Sequence, residues 1–439
     1  MRKLALITAI NFISILAICQ SPSEYFEIGN KKLLLKKFKE AILEYDSSIT
    51  INPKCSECYS NRAYAKYGLG DYIGAISDCS KAIELNPNLP DAFNNRGIAR
   101  MELNQLEKAF SDFETAIAIN INYVEAYFNR GNLKKNLGDI KGALFDYGKA
   151  ISINPLFYEA YYNRSQLRFK MNEIALALDD LNSTIKLKPL FYNALNDRGI
   201  IKKELEDYTG AIEDYSKAIS INDSSDKAYY NRGNVKGLLN DIQGAIIDYS
   251  CAINRNQKND AALSNRGLLK LKIKDYVGAE SDFNNSIQVQ PNNPEAIAGL
   301  GQLKWMTNDY QGALKYFSEA ISSAPNFAEA YFSRASLKLQ LSDLNGAILD
   351  YSKAIQLNFK AEKAFYYRAI AKGKANDLNG AIADFTKSIN LNPKNADAYV
   401  GRGLAYISIN NKNNGCLDLR KALELGQKKA IELLQELCK

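Results

Sequence analysis

From Pro22 to Lys429 the chain repeats itself every 34 residues without insertion or deletion, and nothing else in the sequence constrains its folding so tightly. A fixed period of this length marks a stack of identical small units rather than one globular core. Numbering each unit 1 to 34, position 8 is small in all twelve, as in Gly29, Ala63, Gly131, Ser165, Gly233 and Gly403. Position 20 is alanine from Ala41 to Ala381 and Gly415 in the last unit. Position 27 is Ala, Ser or Thr throughout, and position 24 is usually aromatic, as in Tyr45, Phe113, Tyr147, Tyr215, Tyr249 and Phe385. Proline closes seven units at position 32, among them Pro53, Pro87, Pro155 and Pro393.

These spacings predict two helices per unit. Positions 4, 7, 8 and 11 share one face of a helix A, and positions 20, 24 and 27 share one face of a helix B. Small residues at 8 and 20 let the two backbones approach, and aromatics at 4 and 24 fill the space beside them. Asp71, Asp139, Asp207, Asp241 and Asp343 stand at position 16, where they are placed to cap helix B. One such hairpin cannot bury its apolar face alone, so each leans on its neighbours. After the last unit, Ala430, Ile431, Leu433, Leu434 and Leu437 form one more amphipathic helix, expected to cap the stack over residues 430–439.

The small residues at 8, 20 and 27, the aromatic at 24 and the proline at 32 resemble the tetratricopeptide-repeat (TPR) family, and the resemblance covers residues 22–429. It implies an all-α fold: a right-handed α-solenoid of twelve helix–turn–helix hairpins with a concave groove, closed by the C-terminal helix. It also implies that the chain binds a protein or an extended peptide in that groove.

One pattern departs from the family consensus. Position 7 is arginine in ten units, including Arg62, Arg96, Arg130, Arg198, Arg232 and Arg334, and position 23 is aspartate in the same ten, including Asp78, Asp112, Asp146, Asp214, Asp248 and Asp350. The ninth unit loses both together, with Leu300 and Tyr316. Pairing between units would leave Asp282 facing Leu300, whereas pairing within a unit leaves no orphan. Structural ion pairs within hairpins are therefore expected, Arg130 with Asp146 and Arg232 with Asp248 among them. Position 11 is basic from Lys32 to Lys372. It lies on the packing side, and snorkelling of aliphatic stems is the simplest account of it.

The opposite face of helix A, positions 2, 5, 6, 9, 12 and 13, lines the groove in this family. Position 6 is asparagine in Asn61, Asn95, Asn129, Asn163, Asn231 and Asn265, with Asp197 in the interruption. Side-chain amides offer donor and acceptor together and can grip a peptide backbone. The row is similar to the asparagine ladder in the repeats of the O-linked N-acetylglucosamine transferases. The other reading is a solvated polar position copied by duplication. Aromatics at position 5, Phe128, Tyr162, Tyr230, Phe332 and Tyr366, stand beside the row as anchors. The ninth unit carries the one tryptophan, Trp305, which reads either as a partner hot spot or as local repacking. A chaperone-type carboxylate clamp needs lysine at position 5 or arginine at position 6. Neither occurs at those positions in any of the twelve units.

The first nineteen residues read as an export signal: Arg2 and Lys3 precede an uncharged run from Leu4 to Cys19, too short for a membrane span. Leu16-Ala17-Ile18-Cys19 resembles the lipobox of bacterial lipoproteins, although Ile18 departs from the usual small residue. Lipidation of Cys19 and simple cleavage nearby are both open. In an oxidising compartment Cys416 and Cys438, on either side of Gly426, are expected to form a disulfide. Cys55 and Cys58 make a C-x-x-C where a helix should begin, a location that lowers thiol pKa; Cys58 also fills a slot held by alanine in ten other units.

There is no histidine, no four-ligand zinc spacing and no phosphate-cradling glycine loop, so no enzyme, metal or cofactor is expected. The net charge of +7 is spread over 56 basic and 49 acidic residues and lacks the clustered footprint of a nucleic-acid binder. A nucleic-acid-binding α-solenoid remains the alternative. The main expectation is a non-catalytic scaffold in the periplasm or outer envelope of a bacterium, touching the membrane only through an anchor at Cys19.

Overall fold

The computed structural model describes residues 21–439; the export signal expected over residues 1–19, with Cys19, lies outside the described residues. The described chain is all-α, with 25 helices alternating as A and B along the sequence and ending in the short helix Lys429–Leu437. They fall into two compact units. The first, through Leu205, holds five complete hairpins, beginning with Pro22–Leu34 and Phe38–Ile51, and the A helix of the sixth, Tyr192–Glu204. The second, from Glu206, begins with Tyr208–Ile221, continues through six hairpins and includes the terminal helix.

Each turn from A to B has one solution. Position 15 adopts a left-handed backbone, φ between 56° and 82°, in all twelve repeats. Gly70 and Gly138 meet it without steric cost, and six asparagines, Asn104 and Asn172 among them, tolerate it as that side chain usually does. Position 16 then caps helix B: a carboxylate oxygen of Asp71 accepts from Gly74 N–H at 2.8 Å, and Asp139, Asp207, Asp241 and Asp343 cap likewise. Asp275, Asp309 and Asp377 do the same. At the far end of helix B, Asn52, Asn120 and Asn154 turn the chain by accepting from the backbone N–H two residues on.

The core is a seam inside each hairpin. Ala41, Ala75, Ala143 and Ala211 at position 20 are sealed from solvent, as are Tyr45, Phe113, Tyr147 and Phe283 at position 24. Those rings lie against position 8: a Cβ added to Gly97 would stand 2.6 Å from Phe113. The glycine is therefore a packing requirement of the aromatic opposite.

The terminal helix Lys429–Leu437 packs on Lys412–Glu424 through Ala430, which is fully buried, and the two helices are joined by the Cys416–Cys438 disulfide. Ile431, grouped with the apolar face on sequence grounds, points outward at 44% exposure. Ala430, expected on the same face, is the residue of that face that is fully buried.

Candidate functional site

Arg130 donates from Nε and Nη2 to the two oxygens of Asp146 at 2.9 and 2.7 Å, a bidentate fork between helices A and B of one repeat. Arg232 holds Asp248 at the same distances, and Arg62, Arg164, Arg266, Arg334, Arg368 and Arg402 repeat the geometry within their own hairpins. The guanidinium of Arg130 also lies over the Tyr127 ring, 5.6 Å from its centre, and Arg232 lies likewise over Tyr229.

Two contacts correct the sequence reading. The basic residue at position 11 does not snorkel: Lys134 Nζ lies 2.9 Å from Asp146 Oδ2, and Lys66, Arg100, Lys236, Lys338 and Lys372 pair with their own position-23 aspartates. A buried carboxylate needs its lone pairs satisfied, and one arginine fork leaves room for the second cation. The arginine also reaches outside its hairpin. Nη1 of Arg232, Arg266, Arg334 and Arg368 donates to the serine at position 25 of the preceding repeat, at 2.8–2.9 Å, and Arg62 reaches Asp46 there. The fork is thus intra-repeat and the third donor inter-repeat. The polar residues at position 25, such as Ser216 and Ser250, were the available signal.

The asparagines of position 6 are half-buried in the seam between successive A helices. Nδ2 of Asn61 donates to Asn30, Asn95 to Ser60, Asn129 to Asn94, Asn163 to Asn132, and Asn265 to Asn234, each on the preceding repeat. Asn231 occupies the same register in Asp226–Leu238. The amide row is therefore not a wholly open ladder, because one donor of each of these five amides is spent on holding repeats together. In three places the bond belongs to a triad. Tyr147 OH and Asn163 Nδ2 both donate to Asn132 Oδ1, at 2.7 and 2.8 Å; Tyr45–Asn30–Asn61 and Tyr249–Asn234–Asn265 match it.

Those triads recur 102 residues apart, every third repeat. The fourth member of the series has Tyr351 bonded to Ser336. The same spacing carries the outward apolar residues Leu43, Phe145, Ile247 and Leu349, all exposed. Self-comparison at three times the basic period would have revealed both series.

The aromatics of position 5 are likewise engaged. Phe128 meets Phe157 edge-on at 5.0 Å and Tyr147 at 5.8 Å. Tyr162 packs on Phe191 and donates to Asp197 at 2.9 Å, and Tyr230 packs on Tyr249. Trp305 stands edge-on to Phe317, and its indole N–H donates to Gln340 on the next repeat at 3.0 Å. In the ninth repeat, where the ion pair is missing, Leu300 and Tyr316 join an apolar cluster with Leu303 and Phe283.

One opening on the groove-facing positions is a cavity of about 310 Å³ in the first unit, between the A helices of the fifth and sixth repeats. Gln166, Phe169, Lys170 and Asp197 line it, over a floor of Leu181 and Ile201. Lys135, one repeat earlier, is held below the usual lysine range by burial and then by the charge of Lys170. One cation, Lys170, beside an amide, a ring and a carboxylate can take an extended segment carrying an acidic and an apolar side chain.

Comparison with known families agrees with the architecture. A model described as TPR repeat matches residues 199–240 and 374–409, and models described as tetratricopeptide repeat match residues 56–89 and 124–157, 79–110, 299–361 and 396–434. The chain belongs to the tetratricopeptide-repeat family and is a scaffold for protein–protein interaction. Among solved structures it is similar to the APC/C hetero-tetramer Cut9–Hcn1 (13% identity, 96% of this chain and 97% of the other, TM-score 0.50), a likeness of fold. Yeast Tom70 aligns at 18% identity over 95% of each chain, TM-score 0.43. A tetratricopeptide repeat protein from Parabacteroides merdae aligns at 24% identity over 64% of this chain and 99% of its own, TM-score 0.40. No curated protein matches the sequence at a significant level.

Proposed function

We propose that the chain is a non-catalytic scaffold of a bacterial cell envelope that holds an extended protein segment against its A helices, with the cavity at Gln166, Phe169 and Lys170 as the contact that sets specificity. One observation carries this reading: an open, amphipathic cavity on groove-facing positions where most other polar groups of the seam are already spent on neighbouring repeats. The apolar floor takes a side chain out of water, and Lys170 favours an acidic residue beside it. The envelope location rests on the leader-like composition of residues 1–19, with Cys19 as a membrane anchor.

The test is affinity capture from envelope extracts with wild type, Phe169→Ala/Lys170→Glu, and Lys141→Glu as a control on helix B. A captured protein present with wild type and the control but absent with the double variant is expected. Retention by the double variant would overturn the assignment of the cavity. Fractionation of Cys19→Ala decides the anchor separately, with release from membranes expected.

A further inference from the structure

Among the described residues there are two disulfides, and they differ in what they join. Cys416–Cys438 links two helices across 22 residues, so it constrains the terminal helix. Cys55–Cys58 closes only three residues at the start of one helix, Ser56–Gly68, and ties nothing to anything else. A loop so short removes little freedom from the unfolded chain. Nor does the hairpin require it: Cys58 fills the slot that ten other repeats fill with alanine, and those junctions form without a bridge.

The two sulfurs are placed unequally. Cys55 is the N-cap residue, half-buried, and its sulfur accepts from the Cys58 N–H at 3.1 Å. Cys58 is completely buried behind it. Beside Cys55 opens a cavity of about 380 Å³, lined also by Pro22, Phe26, Asn52 and Glu57. On the buried side, Ser48 Oγ lies 3.2 Å from Cys58 Sγ and donates its own proton to Pro22 O at 2.7 Å. A reduced Cys58 thiol therefore has an acceptor already in place.

We infer that Cys55 and Cys58 form a thiol–disulfide exchange site whose substrate is a dithiol segment of another protein, seated in the cavity beside Cys55. A partner thiolate attacks Cys55 Sγ, the accessible sulfur. The Cys55–Cys58 bond breaks, and its electron pair leaves on Cys58 Sγ, which takes a proton and turns its S–H to Ser48. The partner's second thiolate then attacks its own sulfur in the mixed disulfide and expels Cys55 as a thiolate. That thiolate is held by the Cys58 N–H and the helix N-terminus until it is protonated. The partner dithiol has lost two electrons to become a disulfide, and the pair has gained two electrons and two protons.

The experiment uses the full chain. Dithiothreitol is added to the oxidised protein, free thiols are trapped by alkylation at intervals, and the peptides are read by mass spectrometry. Cys55 and Cys58 are expected to label about tenfold faster than Cys416 and Cys438, as an accessible sulfur at a helix N-terminus should. Oxidised glutathione added to Cys58→Ser should leave an adduct on Cys55, and Cys55→Ser/Cys58→Ala should melt with the wild type. Equal resistance of both bridges to dithiothreitol, an unmodified Cys55, or a double variant that melts well below wild type would each make the bridge a structural staple and overturn the proposal.

Discussion

Lys134 Nζ lies 2.9 Å from Asp146 Oδ2, so a carboxylate with no solvent exposure carries a second cation besides Arg130. Both cations come from the same helix A, four residues apart, and both act on helix B of the same hairpin. The hairpin is thus closed by a buried charge cluster as well as by its aromatic seam.

Removing the anion should hurt more than removing either cation, because Asp146→Leu strands two positive charges. Loss of one partner of a buried pair costs about 3–5 kcal/mol. Arg130→Met leaves Asp146 paired to Lys134 and should cost less. The double variant Arg130→Met/Asp146→Leu should be more stable than the sum of the single losses implies, by about 1–3 kcal/mol. Urea unfolding of the four proteins measures this, and strictly additive losses would refute the coupling. The ninth repeat, with Leu300 buried and Tyr316 in the same apolar cluster, shows that this fold accepts apolar residues there.

Acid should loosen the cluster at Asp384. Burial acts to raise the Asp384 carboxyl, but hydrogen bonds from Arg368 and Lys372 outweigh it and hold the group below the usual carboxylate range. A folded-state pKa below the unfolded one adds stability that is fully present above the unfolded value. That stability is lost as pH falls through the folded one. Melting temperature should therefore hold down to about pH 5 and fall progressively below the normal aspartate value near pH 4. Asp384→Asn should flatten that acid limb, and an unchanged slope would contradict the assignment.

The tyrosine–asparagine triads should behave as units. Asn132→Ile takes the acceptor from the buried Tyr147 hydroxyl and from Asn163, which costs about 1–3 kcal/mol. Adding Tyr147→Phe removes the stranded hydroxyl and should recover much of that loss. The third repeat already holds this arrangement, with Ile98 and Phe113 at the same two positions. Thermal melts of the single and double variants decide it: a double variant no better than Asn132→Ile would show that the hydroxyl was never the cost.

Reducing the second disulfide should free the terminal helix. Closing 22 residues restricts the unfolded chain by about 3 kcal/mol in the loop-entropy account. Cys416→Ser/Cys438→Ser should raise amide exchange first in Lys429–Leu437, then in the Lys412–Glu424 helix it covers. Exchange that rises evenly along the chain would mean that the helix does not act as an end cap.

Much of this molecule is readable in one dimension because each repeat meets the same neighbours. The 34-residue period, the small residues at positions 8 and 20 and the aromatic at 24 specify a hairpin whose partner is a copy of itself, so local pattern and tertiary contact coincide. The paired loss at Leu300 and Tyr316 even points to which arginine faces which aspartate. What a list of residues does not carry is how a side chain with several donors divides them. Only the packed structure splits Arg232 between Asp248 and Ser216, gives Asp146 its second cation and turns Asn163 toward Asn132. Those choices depend on the exact approach of neighbouring helices, where a buried polar group must find a partner or destabilise the fold.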